Sequence, residues 1–200
     1  MSANYKIDFW FEFASTYSYL SAGRIEQLCA QKGIRANWKP FLLGPIFKEQ
    51  GMEDSPFNLF PAKGKYMWKD LERRCEKYDL PFERPDKFPQ NGLKAARIAV
   101  AFSGSEWVRE FTRKVYIAEF SRNKDIGETE TLSEILKELG QNPDTIFEKS
   151  ESQENKSALR ENTETASSLG IFGAPSFIVR GELFWGDDRL EDALEFLTRT

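Results

Sequence analysis

The sequence predicts an α/β protein in which a large, entirely helical insertion divides a four-stranded mixed sheet. Three patterns predict it: a β-α-β order over 5–39, an almost wholly helical block over about 64–150, and a final helix–hairpin–helix order. A β-α-β start implies a parallel strand pair with a right-handed crossover. We therefore expect a sheet domain formed by 1–45 and 155–200 and a helical insertion at 46–154, within one continuous structural unit.

The β-α-β start appears as a change of sequence period. Residues 5–13 alternate, with isoleucine and phenylalanine at every second position, which predicts a strand with one strongly apolar face. From Thr16 the apolar residues recur at helical spacing until Gly33, which is a typical helix-ending residue. Residues 34–39 alternate again and predict a second strand before Pro40.

The middle of the chain has helical periodicity. Apolar residues recur every three or four positions over 108–118 and 132–139, and the three prolines of 79–89 interrupt the pattern. The polar stretch 148–162 contains neither proline nor glycine, so we expect one solvated helix there.

Strand patterns return near the end of the chain. Two short apolar segments, 177–179 and 183–185, flank the tripeptide 180–182, which predicts a tight hairpin. A last helix follows over 190–197, with apolar residues at i, i+3, i+4 and i+7.

Composition excludes several functions. The net charge of −4 argues against a nucleic-acid or membrane-surface partner, and no apolar run reaches the length of a membrane-spanning helix. The chain contains no histidine, which excludes Ser-His-Asp and Cys-His mechanisms and the common histidine-ligated metal sites. We therefore predict no metal. The first residues lack the pattern of a signal peptide, so we expect a cytoplasmic protein.

The two cysteines are poor candidates for redox chemistry. Cys29 and Cys75 are far apart and each lies in a helical pattern, so we expect both to be small buried apolar residues. Without a C-x-x-C pair, dithiol chemistry on the protein's own sulfurs is excluded. Any sulfur chemistry would need a sulfur from a bound molecule.

Ser15 lies where the first predicted strand gives way to the first helix. One interpretation is an N-cap, whose hydroxyl accepts a backbone N–H of the first turn. The other uses the same geometry: a hydroxyl beside unpaired N–H groups and the positive end of a helix suits a bound anion, such as a thiolate.

The segment Gly173-Ala174-Pro175-Ser176 comes just before a predicted strand. Proline at a strand entry is common and carries no function by itself. In this position, however, it would leave the backbone of Ala174 available to pair with an extended ligand.

Six motifs, in their order and spacing, resemble those of the 2-hydroxychromene-2-carboxylate isomerase family. That family is related to kappa-class glutathione transferases and to the DsbA-like branch of the thioredoxin superfamily. The resemblance covers almost the whole chain and implies a thioredoxin-like fold with a large all-helical insertion. The motifs are DFWFEFASTYSYL at 8–20, LLGPIFKEQG at 42–51, SPFNLFPAKGKYMWKDLERR at 55–74, FPQNGLKAARIA at 88–99, IFGAPSFIV at 171–179 and FWGDDRLE at 184–191.

The resemblance implies a glutathione-dependent isomerase in which Ser15 contacts the glutathione sulfur. Oxidoreductases of this fold carry C-x-x-C at the positions of residues 15–18, whereas this chain has Ser-Thr-Tyr-Ser. Thr16 stands where the family usually has proline. The thiolate would add to a conjugated carbon of an aromatic-derived substrate, let the former double bond rotate, and leave. The resemblance also implies a homodimer and a role in aromatic catabolism.

Two alternatives stay open: a kappa-like glutathione transferase, in which the adduct is retained, and a non-catalytic thiol- or peptide-binding module. For the binding site, the resemblance implies a set of glutathione contacts and two substrate contacts. The glutathione contacts are Ser15, Thr16, Tyr17, Lys63, Ala174, Pro175, Trp185, Gly186, Asp187 and Asp188, and the substrate contacts are Asn58 and Asn91.

Several of these residues also have a purely structural interpretation. Lys63 suits a solvated helix start, and Tyr17 suits an aromatic core. Asn91 suits an N-cap of the helix that follows it. Asp188 and Glu191 have the spacing of a capping box for the last helix.

Overall fold

The computed structural model describes residues 5–199. The strands are β1 (Lys6–Phe11), β2 (Arg35–Pro40), β3 (Ser176–Val179) and β4 (Glu182–Trp185). The helices are α1 (Thr16–Gln31), α2 (Leu43–Glu49), α3 (Pro56–Leu59), α4 (Pro61–Tyr78), α5 (Leu93–Ala101), α6 (Trp107–Arg122), α7 (Thr129–Glu138), α8 (Pro143–Ser150), α9 (Gln153–Ser168) and α10 (Leu190–Thr198). A 3₁₀ turn, Asp187–Arg189, precedes α10.

The four strands form one mixed sheet in the order β2-β1-β3-β4. β1 pairs parallel with β2 and antiparallel with β3, and β4 pairs antiparallel with β3. The predicted hairpin is confirmed: Arg180 and Gly181 connect β3 to β4, both with positive φ (52° and 84°). Two successive residues with positive φ are typical of the turn that fits the twist of a two-residue hairpin.

Eight helices, α2 to α9, lie between β2 and β3 in the sequence. The predicted α/β sheet with a large helical insertion is therefore confirmed. The predicted domain boundary between residues 154 and 155 falls within the first turn of α9. The division into 1–45 plus 155–200 and 46–154 stays a prediction.

The expectation of one helix over 148–162 is wrong. The chain leaves α8 after Ser150 and starts α9 at Gln153. Ser152 caps the new helix by accepting the amide of Asn155 at 3.2 Å. The Asn155 side chain in turn donates to the carbonyls of Ser150 at 2.7 Å and Arg97 at 2.9 Å. These side-chain contacts satisfy backbone groups at the break, so no proline or glycine is needed there.

Aromatic packing fixes the end of β1. The Phe9 ring stacks on Phe11 and Phe177 at centroid distances of 5.3 and 5.5 Å, and Trp38 packs edge-on against Phe9 at 5.0 Å. Phe9, Phe11 and Phe177 are fully buried. Because this cluster immobilises the last residues of β1, it also fixes where the following loop enters α1.

Cys29 and Cys75 are both free and buried, as their apolar setting predicts. Burial raises the pKa of each thiol to about 12. Across residues 5–199, none of the helices has the length and hydropathy needed to span a bilayer.

Candidate active site

Ser15 joins the first strand to the first helix and also contacts the entry of β3, the strand next to β1. It is the N-cap of α1, and its Oγ accepts the Ser18 amide at 3.2 Å. The same hydroxyl donates to the carbonyl of Ala174 at 2.9 Å. The N-cap interpretation is therefore confirmed, and the hydroxyl also links the start of α1 to the entry of β3.

The peptide bond between Ala174 and Pro175 is cis. Pro175 accepts the amide of Gly186 at 3.0 Å, which ties this bend to the end of β4. Pro175 itself is buried, while Ala174 is partly exposed. The backbone of Ala174 thus lies directly opposite the start of α1.

A cavity of about 1230 Å³ opens above these two segments. Pockets that hold one drug-sized ligand are usually about 300–1,000 Å³, so this volume leaves room for a tripeptide and a second molecule. Nine of the predicted contacts line it: Ser15, Thr16, Tyr17, Lys63, Ala174, Trp185, Gly186, Asp187 and Asp188.

The two predicted substrate contacts do not line this cavity. Asn58 is exposed and donates to both carboxylate oxygens of Asp54, at 3.1 and 3.2 Å. Asn91 is exposed and accepts the amide of Leu93 at 3.0 Å at the start of α5. Their side chains thus satisfy local polar groups, and their substrate roles stay predictions.

Tyr17 connects α1 to α4 at the wall of the cavity. Its hydroxyl donates to Asp70 Oδ2 at 2.9 Å. Burial, followed by this hydrogen bond, raises the pKa of the Tyr17 phenol. Tyr17 therefore stays a neutral hydrogen-bond donor across physiological pH.

Asp187 is a buried carboxylate held among arginines. Its Oδ2 lies 3.0 Å from Nη2 of Arg74, and Nη2 of Arg24 donates to its carbonyl at 3.2 Å. Burial raises the pKa of Asp187 to about 6, although Arg74 and Arg24 both lower it. Oδ2 is buried and forms the ion pair with Arg74 without a hydrogen bond from the described residues.

The rim of the cavity is more exposed. Trp185 packs on Phe172 with ring centroids 4.7 Å apart, and Nζ of Lys63 lies 4.8 Å from the centre of the Phe60 ring. The capping-box interpretation of Asp188 is wrong: Asp188 pairs with Arg189 at 3.0 Å, and no side chain caps α10. Its expected partner Glu191 instead pairs with Arg24 at 2.7 Å.

Sequence reasoning missed six charged residues of the cavity: Glu12, Lys48, Glu53, Asp54, Asp70 and Arg74. Asp70 and Arg74 are one helical turn apart on α4, a spacing that places them on one face, but nothing in the sequence identifies which face meets the cavity. Glu12 had a detectable signal, because an acidic residue stands three positions before Ser15 at the end of an apolar strand.

Glu12 lines the cavity and is partly buried. Shielding from bulk solvent raises the pKa of its carboxyl to about 8, against a smaller opposing effect of a hydrogen bond from the Ala14 backbone. At neutral pH the site therefore combines a mostly protonated Glu12 with an ionised Asp187.

Comparisons with known proteins agree with this geometry. Residues 6–198 match the family model described as DSBA-like thioredoxin domain. The chain is 31% identical over 198 residues to "Glutathione S-transferase kappa 1" of Caenorhabditis elegans, covering 92% of this chain and 87% of that protein. It is 29% identical over 186 residues to "2-hydroxychromene-2-carboxylate isomerase" of Sphingobium xenophagum, covering 92% and 94%.

Among solved structures, that of a 2-hydroxychromene-2-carboxylate isomerase superposes with a TM-score of 0.86 at 24% identity, covering 97% of this chain and 96% of the other. This similarity shows that the two chains share a fold.

Proposed function

Since the chain belongs to the DSBA-like thioredoxin domain family, we propose that it is a glutathione-dependent isomerase of the 2-hydroxychromene-2-carboxylate isomerase type. The observation that carries the proposal is the position of the Ser15 hydroxyl. It stands at the N-terminus of α1, lines the large cavity, and lies 2.9 Å from the carbonyl of Ala174.

The hydroxyl of Ser15 would stabilise the glutathione thiolate after an exchange of hydrogen bonds. Its proton points to the carbonyl of Ala174 in the free protein. A cysteinyl N–H of glutathione, pairing with Ala174 in strand fashion, would take over that carbonyl. The Ser15 O–H would then turn to the sulfur, beside the positive end of α1. Because both effects favour the anion, they lower the pKa of the bound thiol.

The rest of the cavity offers groups that suit the two ends of glutathione. The Asp187 carboxylate, which Arg74 holds at 3.0 Å, supplies a negative charge that suits the γ-glutamyl ammonium group. Lys63 on the rim suits a carboxylate of the tripeptide. Thr16, Tyr17, Pro175, Trp185, Gly186 and Asp188 complete the proposed binding surface.

The proposed reaction conserves atoms and electrons. The thiolate forms a C–S bond to the conjugated carbon, and the electron pair of the double bond moves to the carbonyl oxygen as an enolate. The former double bond rotates, the enolate re-forms the carbonyl, and the C–S bond breaks. Apolar residues lining the cavity suit an aromatic-derived substrate; they include Leu43, Phe47, Met52, Phe57 and Phe88.

A kappa-like glutathione transferase is the second candidate, favoured by the 31% identity to "Glutathione S-transferase kappa 1". The two activities share the addition step and differ in whether the C–S bond later breaks. Mass spectrometry of the products separates them: a retained glutathionyl adduct indicates a transferase, and an isomer of unchanged mass indicates an isomerase. A non-catalytic module would give neither product.

Substitution of Ser15 tests the proposal. Ser15→Ala should reduce glutathione-dependent turnover of 2-hydroxychromene-2-carboxylate by roughly 10²–10³-fold, the usual effect of removing one anion-stabilising donor. Ser21→Ala is the matched control, because it removes another buried hydroxyl from the same helix without touching the cavity. Equal turnover by the Ser15 variant and the wild type would refute the role of Ser15.

Binding is tested separately by calorimetric titration of the wild type with glutathione, and absence of binding would favour the non-catalytic module over both enzymes. The cytoplasmic location, the homodimer and the contacts of Asn58 and Asn91 with substrate are further proposals from the family resemblance. Sedimentation analysis of the purified protein tests the homodimer.

A further inference from the structure

The proposed function leaves one proton unassigned. Glutathione binds as a thiol, and its proton must leave before the sulfur can add to carbon. Ser15 can stabilise the resulting anion but, as a neutral alcohol, is a poor base. The chain contains no histidine to accept the proton.

Most acidic side chains that line the cavity already have a described polar partner. Asp70 accepts from Tyr17, Asp187 faces Arg74, and Asp188 pairs with Arg189. Asp54 accepts from the Asn58 amide. Such partners stabilise the ionised carboxylate and so weaken it as a base. Glu12 and Glu53 differ, because neither forms a salt bridge within residues 5–199. Glu53 is exposed, whereas Glu12 is partly buried and has only the backbone amide of Ala14 to stabilise its charge.

The backbone around Glu12 is firmly positioned. Its carbonyl accepts the amide of Ser15 at 3.1 Å and the hydroxyl of Tyr116 at 2.8 Å. The side chain lines the same cavity as Ser15. A Cβ atom added to Gly92 would lie 3.6 Å from Glu12 Oε1, which places the carboxyl beside the start of α5.

The surroundings favour the protonated form of Glu12. Glu119 on α6 is fully buried, has no hydrogen-bond partner for either carboxyl oxygen among the described residues, and has its pKa raised by burial and by the charge of Glu12. Tyr116 on α6 is also buried. The negative charge of Asp125 also raises the pKa of Glu119, and Asp125 itself forms a salt bridge with Lys87 at 2.9 Å. With no cation in direct contact, Glu12 gains stability on accepting a proton.

We infer that Glu12 accepts the proton of the bound glutathione thiol, directly or through one water, and returns it at the end of the reaction. This inference rests on the proposed function. In the first step the S–H bond breaks and an O–H bond forms on Glu12, giving a thiolate and a neutral acid. In an isomerase the proton goes back to the departing thiolate; in a transferase it goes to the enolate carbon.

The energetics of this transfer are nearly balanced. Burial brings the pKa of Glu12 to about 8, and a free cysteine thiol has a pKa of about 8.5. Because Ser15 and the start of α1 lower the pKa of the bound thiol below that of the free thiol, its proton passes to Glu12 with little or no cost in free energy, which suits general acid–base catalysis. The rate should rise with pH until Glu12 is ionised and level off above about pH 8.

Glu12→Gln tests the inference, with Glu53→Gln as the matched control on the exposed part of the cavity wall. The Glu12 variant should lose roughly 10²–10⁴-fold in kcat, the usual contribution of a general base, while its glutathione Kd changes less than about threefold. Its kcat/KM should also lose the rise that levels off near pH 8. Glu12→Asp should recover part of the rate. An unchanged rate and pH profile in Glu12→Gln would overturn the role of Glu12 and leave that of Ser15 intact.

A measurement on the wild type alone covers the case in which the variant fails to fold. Infrared difference spectra on adding glutathione at about pH 8.5, near the pKa of a free thiol, should show loss of the S–H band and gain of a protonated-carboxyl band. Loss of the S–H band without the carboxyl band would overturn the inference. Failure of the wild type to bind glutathione would overturn the proposed function together with it.

Discussion

Two carboxyl groups line the cavity and have different surroundings. Asp187 follows β4 and lies 3.0 Å from Arg74. Glu12 follows β1 and forms no salt bridge among the described residues. Burial raises the pKa of both groups, that of Asp187 to about 6 and that of Glu12 to about 8.

The comparison shows that the presence or absence of neighbouring cations gives two similar side chains different charges near pH 7, and so different roles. Near pH 7 Asp187 is mostly charged, so it suits the binding of a cationic group. Glu12 is mostly protonated at the same pH and exchanges its proton close to neutrality, so it suits proton transfer. Burial raises the pKa of both carboxyl groups. Arg74 and Arg24 lower that of Asp187 again, whereas Glu12 has no cation in direct contact among the described residues.

The largest effect should come from removing the cation that Asp187 faces. Arg74→Met leaves a buried carboxylate with one arginine fewer, and we expect the free energy of unfolding at pH 7 to fall by about 3 kcal/mol. The loss should shrink at pH 5, because Asp187 is then mostly protonated and needs no cation. Urea unfolding at both pH values measures the two effects.

Arg73→Met is the control for this prediction, since Arg73 is exposed on the same helix. A surface substitution of this kind should change the unfolding free energy by less than about 0.5 kcal/mol. Equal losses in the two variants, or a loss that does not depend on pH, would show that the Arg74–Asp187 pair does not stabilise the protein.

Substitution of Glu12 should have a smaller effect on the unfolding free energy, and in a different pH range from substitution of Asp187. Its folded-state pKa is raised from 4.5 to about 8, so the stability it contributes is complete below pH 4.5 and declines as pH rises towards 8. Between pH 6.5 and 8, the unfolding free energy of Glu12→Gln should decrease with pH less steeply than that of the wild type, by about 1 kcal/mol per pH unit. Asp187→Asn should change the pH dependence of the unfolding free energy mainly between pH 4 and 6, because the pKa of Asp187 is raised from 3.8 to about 6. A Glu12 variant that leaves the slope unchanged above pH 6.5 contradicts the raised pKa.

Much of the fold was predictable because its signals are local. The alternation of 5–13 and the turn residues of the hairpin specify strands directly, and the confirmed sheet follows from them. The break between α8 and α9 was not predictable in the same way. It depends on Asn155 reaching the carbonyl of Arg97, which is distant in sequence, and no local pattern records such a contact.

In the candidate site, too, residues with a local sequence signal were predictable and residues placed by distant packing were not. The sequence predicted Ser15 and Ala174, which both line the cavity, because a strand–helix junction and a strand entry are visible in it, whereas Pro175 is buried and does not line the cavity. Arg74 and Glu119 were missed because each lies on an ordinary amphipathic helix, where charge usually indicates solvent. Only the packing of α4 and α6 shows that these two charges face the interior.

The smallest expected effect is a change in the pKa of Asp187 on removal of a neighbouring charge. Asp188 is exposed, pairs with Arg189, and raises the pKa of Asp187 through its negative charge. Asp188→Asn should therefore lower the pKa of Asp187, move its stability window to lower pH, and change the unfolding free energy at pH 7 by less than about 0.5 kcal/mol. NMR titration of the side-chain carboxyl carbon of Asp187 measures the shift.

Asp192→Asn is a close control for Asp188→Asn, because Asp192 also pairs with Arg189, at 2.6 Å, and is equally exposed. Its removal frees the same arginine without removing a charge that acts on Asp187. If the two variants shift the Asp187 titration equally, the effect comes from the freed Arg189 and not from the charge of Asp188. A shift confined to Asp188→Asn would instead show that the charge of an exposed neighbour changes the pKa of the buried Asp187 carboxylate.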